Sequence, residues 1–80
     1  MMIRVKLFAI ARERCGVGEL NLSFDGALLS EAIEALNTRF PQSAAMFQRC
    51  AFAVNQEYAR PSDRLNDGDE LAVIPPVSGG

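Results

Sequence analysis

The 80-residue chain is 49% hydrophobic and 22% charged, and its net charge of −2 argues against a nucleic-acid binder, which needs surplus lysine and arginine to neutralise phosphates. No apolar run approaches the length of a membrane span, and the apolar start, which Arg4 and Lys6 interrupt, is a poor signal peptide. We therefore expect a cytoplasmic protein that binds neither nucleic acid nor a membrane. We also expect a single domain, because splitting so short a chain would leave two pieces too small to bury a core.

The side chains that most often carry catalysis and metal binding are scarce. The chain has no histidine, and its two cysteines, Cys15 and Cys50, lie outside any Cys-x-x-Cys spacing. It also lacks the glycine-rich phosphate-binding loops of nucleotide-binding proteins. We therefore expect reduced structural thiols, no bound metal or cofactor, and no independent catalysis. Any ATP would be handled by a partner.

Two strands are predicted near the start of the chain. Apolar and polar residues alternate along both, which is the period of a strand with one buried face. The apolar positions are Ile3, Val5 and Leu7 in the first strand and Leu20, Leu22 and Phe24 in the second. A loop that contains Gly16 and Gly18 separates them, so an antiparallel hairpin is the simplest connection.

An amphipathic helix is predicted over residues 29–40. Its apolar positions are spaced four, three and four residues apart, at Leu29, Ile33, Leu36 and Phe40. Pro41 then ends the helix, because proline lacks the amide proton and disfavours helical geometry in the residue before it. A short turn or helix is expected over residues 44–47.

The second half of the chain predicts the remaining strands. One includes Phe52 and Val54, a tight turn follows at Asn55-Gln56, and residues 57–59 form a brief return strand. The last strand, over residues 71–74, follows Asp67-Gly68-Asp69, a turn in which glycine can supply a positive φ. The order is ββαββ, and one helix packed across one sheet is the α+β solution for a domain of this size.

The most informative feature is the end of the chain, Pro75-Pro76-Val77-Ser78-Gly79-Gly80. Each proline fixes φ and removes a ladder donor, so the sheet must end there and the chain leaves stiff and extended. Six extended residues reach about 20 Å, enough to enter a pocket of another protein, and the glycines carry no Cβ that would clash with its walls. We predict a globular domain over residues 1–76 and a flexible tail over 77–80 that presents its α-carboxylate.

An apolar surface patch is predicted beside the tail. Phe8 shares a strand face with Arg4 and Lys6, and Ile74 is out of phase with the predicted core residues of its strand. With Tyr58 they would form an apolar patch of the kind that marks protein interfaces. Alternatively, Phe8 and Tyr58 only cover the edge of the core.

Several short motifs along the chain match one protein family. They are Phe8-Ala9, Arg12-Glu13, Gly16, Ala53-Val54-Asn55-Gln56, Leu65, Asp67-Gly68-Asp69-Glu70 and the six-residue ending. On these motifs the chain resembles the small subunits of molybdopterin synthase, within the β-grasp ubiquitin-like superfamily. The resemblance implies a mixed sheet with one main helix packed across it.

The resemblance also implies chemistry at the C-terminus. An adenylating partner would use ATP to activate the carboxylate of Gly80, beside Gly79, and a persulfide donor would convert it to a thiocarboxylate. The large synthase subunit, in a heterotetramer, would bind the carrier and receive sulfur for the cyclic pyranopterin precursor of the molybdenum cofactor. The residues that would contact partners are Phe8, Tyr58, Ile74, Pro75, Pro76, Val77 and Ser78.

Three other functions fit a ββαββ domain with this ending. A carrier for thiamin synthesis or tRNA thiolation would form the same thiocarboxylate, although the full ending and the Asp-Gly-Asp-Glu turn favour the molybdenum pathway. A ubiquitin-like modifier would join its activated tail to lysines. A β-grasp adaptor would use only the sheet face, so it alone would keep its function without Gly79 and Gly80.

Overall fold

The structure, a computed structural model, describes residues 1–76 and contains one mixed sheet with helices on one side. The strands are β1 (Met2–Leu7), β2 (Glu19–Ser23), β3 (Ala51–Val54), β4 (Glu57–Tyr58) and β5 (Glu70–Ile74). The helices are α1 (Ala9–Cys15), α2 (Leu29–Arg39) and α3 (Ala44–Phe47), with a 3₁₀ turn at Pro41–Ser43. Within residues 1–76, no helix is long and apolar enough to cross a bilayer.

The strand order in the sheet is β2-β1-β5-β3-β4. β1 pairs antiparallel with β2 and parallel with β5, so the first and last strands lie side by side at the centre. β3 pairs antiparallel with both β5 and β4. The predicted Asn55-Gln56 turn is present, and both residues have positive φ, 50° and 72°, as in the type I′ turns that suit two-residue hairpins. The predicted return strand is therefore a fifth strand, added to the ββαββ frame.

The core lies between one face of the sheet and the helices. The alternation predicted for the first and last strands is confirmed, since every second residue of β1 and β5 is buried. The side chains that fill the core from the sheet are Ile3, Val5, Leu7, Leu22, Phe52, Leu71 and Val73, and those from the helices and loops are Ala11, Leu29, Ala32, Leu36, Phe47 and Leu65. Each large aliphatic or aromatic side chain contributes about 1.5–3 kcal/mol on burial.

Helix α2 matches the predicted helix and shows how its ends are fixed. Oε1 of Glu31 accepts hydrogen bonds from the backbone amides of Ala27 (2.9 Å) and Leu28 (3.0 Å), which fixes the chain just before the first turn of the helix. These bonds favour the ionised carboxylate and lower the pKa of Glu31 below its ordinary value of 4.5. At the other end, the amide of Phe40 donates to the carbonyl of Leu36, and the helix ends before Pro41, as predicted; Pro41 starts the 3₁₀ turn.

The connection between β1 and β2 differs from the predicted loop because it contains helix α1. Ala11 is fully buried, and Cys15, one turn later, packs against the core. Gly16, predicted as a loop glycine, ends this helix with φ of 78° and donates its amide to the carbonyl of Arg12 at 2.9 Å. The antiparallel pairing itself is as predicted.

Candidate partner-docking surface

Within residues 1–76, one face of the sheet carries no helix, and we call it the outer face. The strand register places Lys6, Ala72, Ala53 and Tyr58 in one row across four strands. Residues in a row point to the same side of a sheet, so this row lies on the face opposite the core. The small alanine side chains make the middle of the row shallow.

The predicted patch lies on this face at the end where the chain leaves β5. Phe8 follows Leu7, which pairs with Val73, so Phe8 comes level with Ile74 on the neighbouring strand. Phe8 is 47% exposed and Tyr58 is 79% exposed, so both rings have surface available for a partner. Ile74 is half-buried. We call Phe8, Ala53, Tyr58, Ala72 and Ile74 the outer apolar patch; Tyr58 is at its far edge, on β4.

Two ion pairs also lie on the outer face. Nε of Arg4 lies 3.2 Å from Oε1 of Glu19, and Nζ of Lys6 lies 2.9 Å from Oε1 of Glu70. Both pairs are partly exposed to water, so each adds about 0–1 kcal/mol of stability. The two charges of each pair offset each other, so these four residues add no net charge to the outer face.

Pro75 and Pro76, which we call the tail root, connect the domain to the tail. β5 ends at Ile74, as the two prolines predicted, and Pro75 is buried while Pro76 is exposed. Pro75 was predicted to contact a partner, but its burial leaves it little surface to offer, so contacts would begin at Pro76. The predicted reactive Gly79 and Gly80 and the predicted contacts at Val77 and Ser78 lie outside the described residues.

A second surface lies beside the tail root. It was not predicted from the sequence, because helix α1 was not predicted. A groove of about 380 Å³ is lined by Ile10, Arg14, Ala45, Met46, Arg49 and Pro76. We call it the basic groove. The only signal for this groove in the sequence was the four-residue spacing of Ile10 and Arg14, which places both side chains on one face of a helix. Arg49 lines the groove because of the way α3 packs.

The cysteines and the acidic turn have structural environments. Burial raises the pKa of both the Cys15 and Cys50 thiols, and the Sγ of Cys50 donates a hydrogen bond to the carbonyl of Met46 at 3.3 Å. Protonated thiols are poor nucleophiles at neutral pH, which agrees with the predicted structural role. In the acidic turn, Asp67 accepts from the Met2 amide and Asp69 from the Asn66 amide, each at 2.8 Å, so both carboxylates hold the backbone.

Comparisons with known proteins show which proteins this chain is similar to. The model of the ThiS family matches residues 5–80. The molybdopterin synthase sulfur carrier subunit of Chlamydomonas reinhardtii is 43% identical over an alignment of 83 positions that covers both whole chains. The small archaeal modifier protein 1 of Haloferax volcanii superposes with a TM-score of 0.88 at 31% identity, also over both whole chains. In the complex of subunits 1 and 2 of the molybdopterin-converting factor from Helicobacter pylori, one chain matches with a TM-score of 0.71 at 25% identity, again over both whole chains.

These likenesses confirm the predicted α+β, β-grasp fold and the resemblance seen in the sequence motifs. The family model extends from β1 to the final glycine, so it includes the tail as well as the domain. The relatives that carry the name molybdopterin synthase sulfur carrier subunit also match along the full chain. The chain belongs to the ThiS family.

Proposed function

We propose that this chain is a sulfur carrier, the small subunit of a molybdopterin synthase. The observation that carries the proposal is the full-length similarity to a sulfur carrier subunit of that synthase, which includes the diglycine ending. The strand before the tail ends at Ile74, and an exposed apolar patch lies beside it. A domain built in this way can dock on a larger protein while its last residues enter that protein.

The reacting group in this proposal is the carboxylate of Gly80. An adenylating partner joins it to AMP and releases pyrophosphate from ATP, which turns an unreactive carboxylate into an acyl group with a good leaving group. A persulfide donor then displaces AMP, and reduction of the resulting acyl disulfide by a thiol leaves a thiocarboxylate. Transfer of that sulfur to the cyclic pyranopterin precursor, with water supplying the oxygen, returns the carboxylate.

The side chains of this protein indicate which parts of the reaction it contributes and which parts its partners contribute. It has no histidine, and within residues 1–76 no group of three or more acidic or cysteine side chains could hold a metal ion. The chain would therefore contribute the carboxylate, its reach and a docking surface, while partners in the cytoplasm supply ATP binding and proton transfer. We assign no cofactor to the carrier itself.

The docking partner in this proposal is the large subunit of the synthase. The Helicobacter pylori structure is a complex of subunits 1 and 2 of the molybdopterin-converting factor, and this chain superposes on one chain of that complex. The outer apolar patch would bind the large subunit, with two carriers on a large-subunit dimer. Burying Phe8 and Ile74 against apolar side chains supplies the hydrophobic contribution to binding.

A protein modifier is the second candidate, favoured by the likeness to the small archaeal modifier protein 1. A modifier uses the same adenylated carboxylate, but a lysine amine attacks it and an amide forms. Sulfur carriers for thiamin synthesis or tRNA thiolation differ in the acceptor of the sulfur rather than in the activated tail.

Intact-mass spectrometry tests the proposal. The chain is incubated with an adenylating enzyme, ATP and a persulfide donor, and we expect a species heavier by the difference between sulfur and oxygen. Addition of the large subunit and the cyclic pyranopterin precursor should then consume this species and form the dithiolene product. A chain that stops at Ser78 is the control. Absence of the heavier species would reject the carrier function, and amide-linked adducts on other proteins in its place would favour the modifier.

A further inference from the structure

The basic groove, defined above, lies between α1 and α3 at the start of the tail. Its apolar floor includes Ile10, which is 40% exposed, and the half-buried Met46. The helices that form it send Ala11 and Phe47 into the core. The groove is therefore on the helical side of the domain, whereas the outer apolar patch is on the other side of the sheet.

Two arginines give the groove its charge. Arg14 and Arg49 are both exposed, and the ion pairs within residues 1–76 are Arg4–Glu19 and Lys6–Glu70, so neither groove arginine has a carboxylate partner in that range. The chain as a whole carries a net charge of −2, so this local excess of positive charge is not its average character. A guanidinium group presents a rigid fork of donors that matches a carboxylate.

The position of the groove restricts what can occupy it. Pro76, an exposed residue, forms part of its wall, and the four residues that follow carry the group that we propose to react. A protein that encloses those four residues must approach Pro76 closely. Its surface at that point meets Arg14, Arg49 and the apolar floor.

We propose that the basic groove binds an acidic segment of the large synthase subunit. Aspartate or glutamate side chains of that segment pair with Arg14 and Arg49, and an apolar side chain between them packs against Ile10 and Met46. This assignment rests on the proposed function. The large subunit then contacts the domain on both sides of the tail root, which fixes the direction in which the tail enters it.

Binding measurements with the full-length chain and the large subunit test this assignment. We expect Arg14→Glu and Arg49→Glu each to weaken binding about tenfold, because a paired guanidinium is replaced by a charge that repels the partner. Arg39→Glu makes the same change of charge on α2, away from the groove, and should leave the affinity within about twofold. Added salt should weaken binding of the unaltered chain more than binding of the double variant. If Arg39→Glu weakens binding as much as Arg14→Glu and Arg49→Glu do, the assignment of the groove is rejected.

A second experiment identifies the occupant. Lys6 is the single lysine of the chain, so in a Lys6→Arg background Arg14→Lys or Arg49→Lys introduces one side-chain amine at the groove. A carbodiimide joins such an amine only to a carboxylate that touches it. We expect links to aspartate or glutamate of the large subunit, and none from Arg39→Lys in the same background.

The other outcomes contradict the assignment. Links to the carrier's own C-terminal carboxylate would show that the groove holds the tail itself. If the Arg14→Glu chain is adenylated more slowly but binds the large subunit with unchanged affinity, the groove binds the activating enzyme instead. If the unaltered chain does not bind the large subunit at all, the proposed function and the assignment of the groove are both rejected. If the unaltered chain binds normally and the Arg14 and Arg49 variants bind equally well, only the assignment of the groove is rejected.

Discussion

The side chain of Asn55 connects the β3–β4 turn to the start of β5. Its Nδ2 donates to Oδ1 of Asp69 and its Oδ1 accepts from the amide of Glu70, both at 3.0 Å. The φ of Asn55 is 50°, a left-handed conformation that asparagine tolerates better than most residues. One side chain thus fixes both a turn conformation and the approach of the last strand.

We expect Asn55→Ala to lower the free energy of unfolding by about 1–2 kcal/mol, since it removes two exposed hydrogen bonds and places alanine at positive φ. Urea unfolding measures the change. Asn55→Gly separates the two contributions, because glycine accepts the conformation but makes neither bond, and it should recover part of the loss. An Asn55→Ala chain as stable as the original would show that the connection is unimportant.

The carboxylate of Glu31 should make the stability of α2 depend on pH. Its pKa is lowered in the folded chain by hydrogen bonds from Ala27 and Leu28, so its contribution is present above its ordinary pKa of 4.5 and disappears as the pH falls through the lower, folded value. We expect Glu31→Gln to flatten the stability curve in that acidic range. Thermal unfolding from pH 2 to 7 measures it, and Glu34→Gln, on the exposed side of the same helix, is the control. Equal acid sensitivity of all three chains would contradict the assignment.

Replacing Phe8 with Asp should separate folding from binding. Because the Phe8 ring is 47% exposed, the melting temperature should change little. Binding to the large subunit should weaken by at least about tenfold, since an unpaired charge in an apolar contact costs several kcal/mol. Met2→Asp is a matched control, because Met2 is 50% exposed and begins β1, at the end of that strand far from Phe8 and the tail. A large loss of stability in Phe8→Asp would place this ring in the core instead.

The glycines at the end of the chain should matter for turnover and not for folding. Gly79→Ala adds one methyl group to the tail, where about 1 Å of displacement at a reacting centre can cost on the order of a hundredfold in rate. We expect unchanged melting and much slower dithiolene formation, with thiocarboxylate yield measured separately to find the step that fails. A chain extended by one residue after Gly80 should be slower still. Normal rates in both chains would make the diglycine ending incidental.

The strands could be predicted from the sequence because burial on one face leaves a direct signature. Ile3, Val5 and Leu7 alternate with polar residues, and each is buried. Exposure of Phe8 followed from the same alternation. Val77 to Gly80 lie outside the described residues, and their roles are predictions.

Helix α1 could not be predicted in the same way. Its contact with the core depends on Ala11 and Cys15, two small residues in a segment rich in charge, so its apolar stripe is too weak to stand out. The basic groove depends on α1 in turn, since Arg14 and Arg49 are distant in sequence and meet only through the packing of α1 and α3. Surfaces that arise from packing between elements carry no periodic signal within either element.

The parallel pairing of β1 with β5 has a mechanical consequence. A partner that draws in the tail pulls on β5 along its own axis, and the hydrogen bonds between Arg4–Leu7 and Glu70–Val73 run across that axis. The load is therefore shared by the whole ladder in shear, instead of falling on one bond at a time as it would if the strands were peeled apart. Separation of β5 from β1 by such a pull would therefore require several of these bonds to break together.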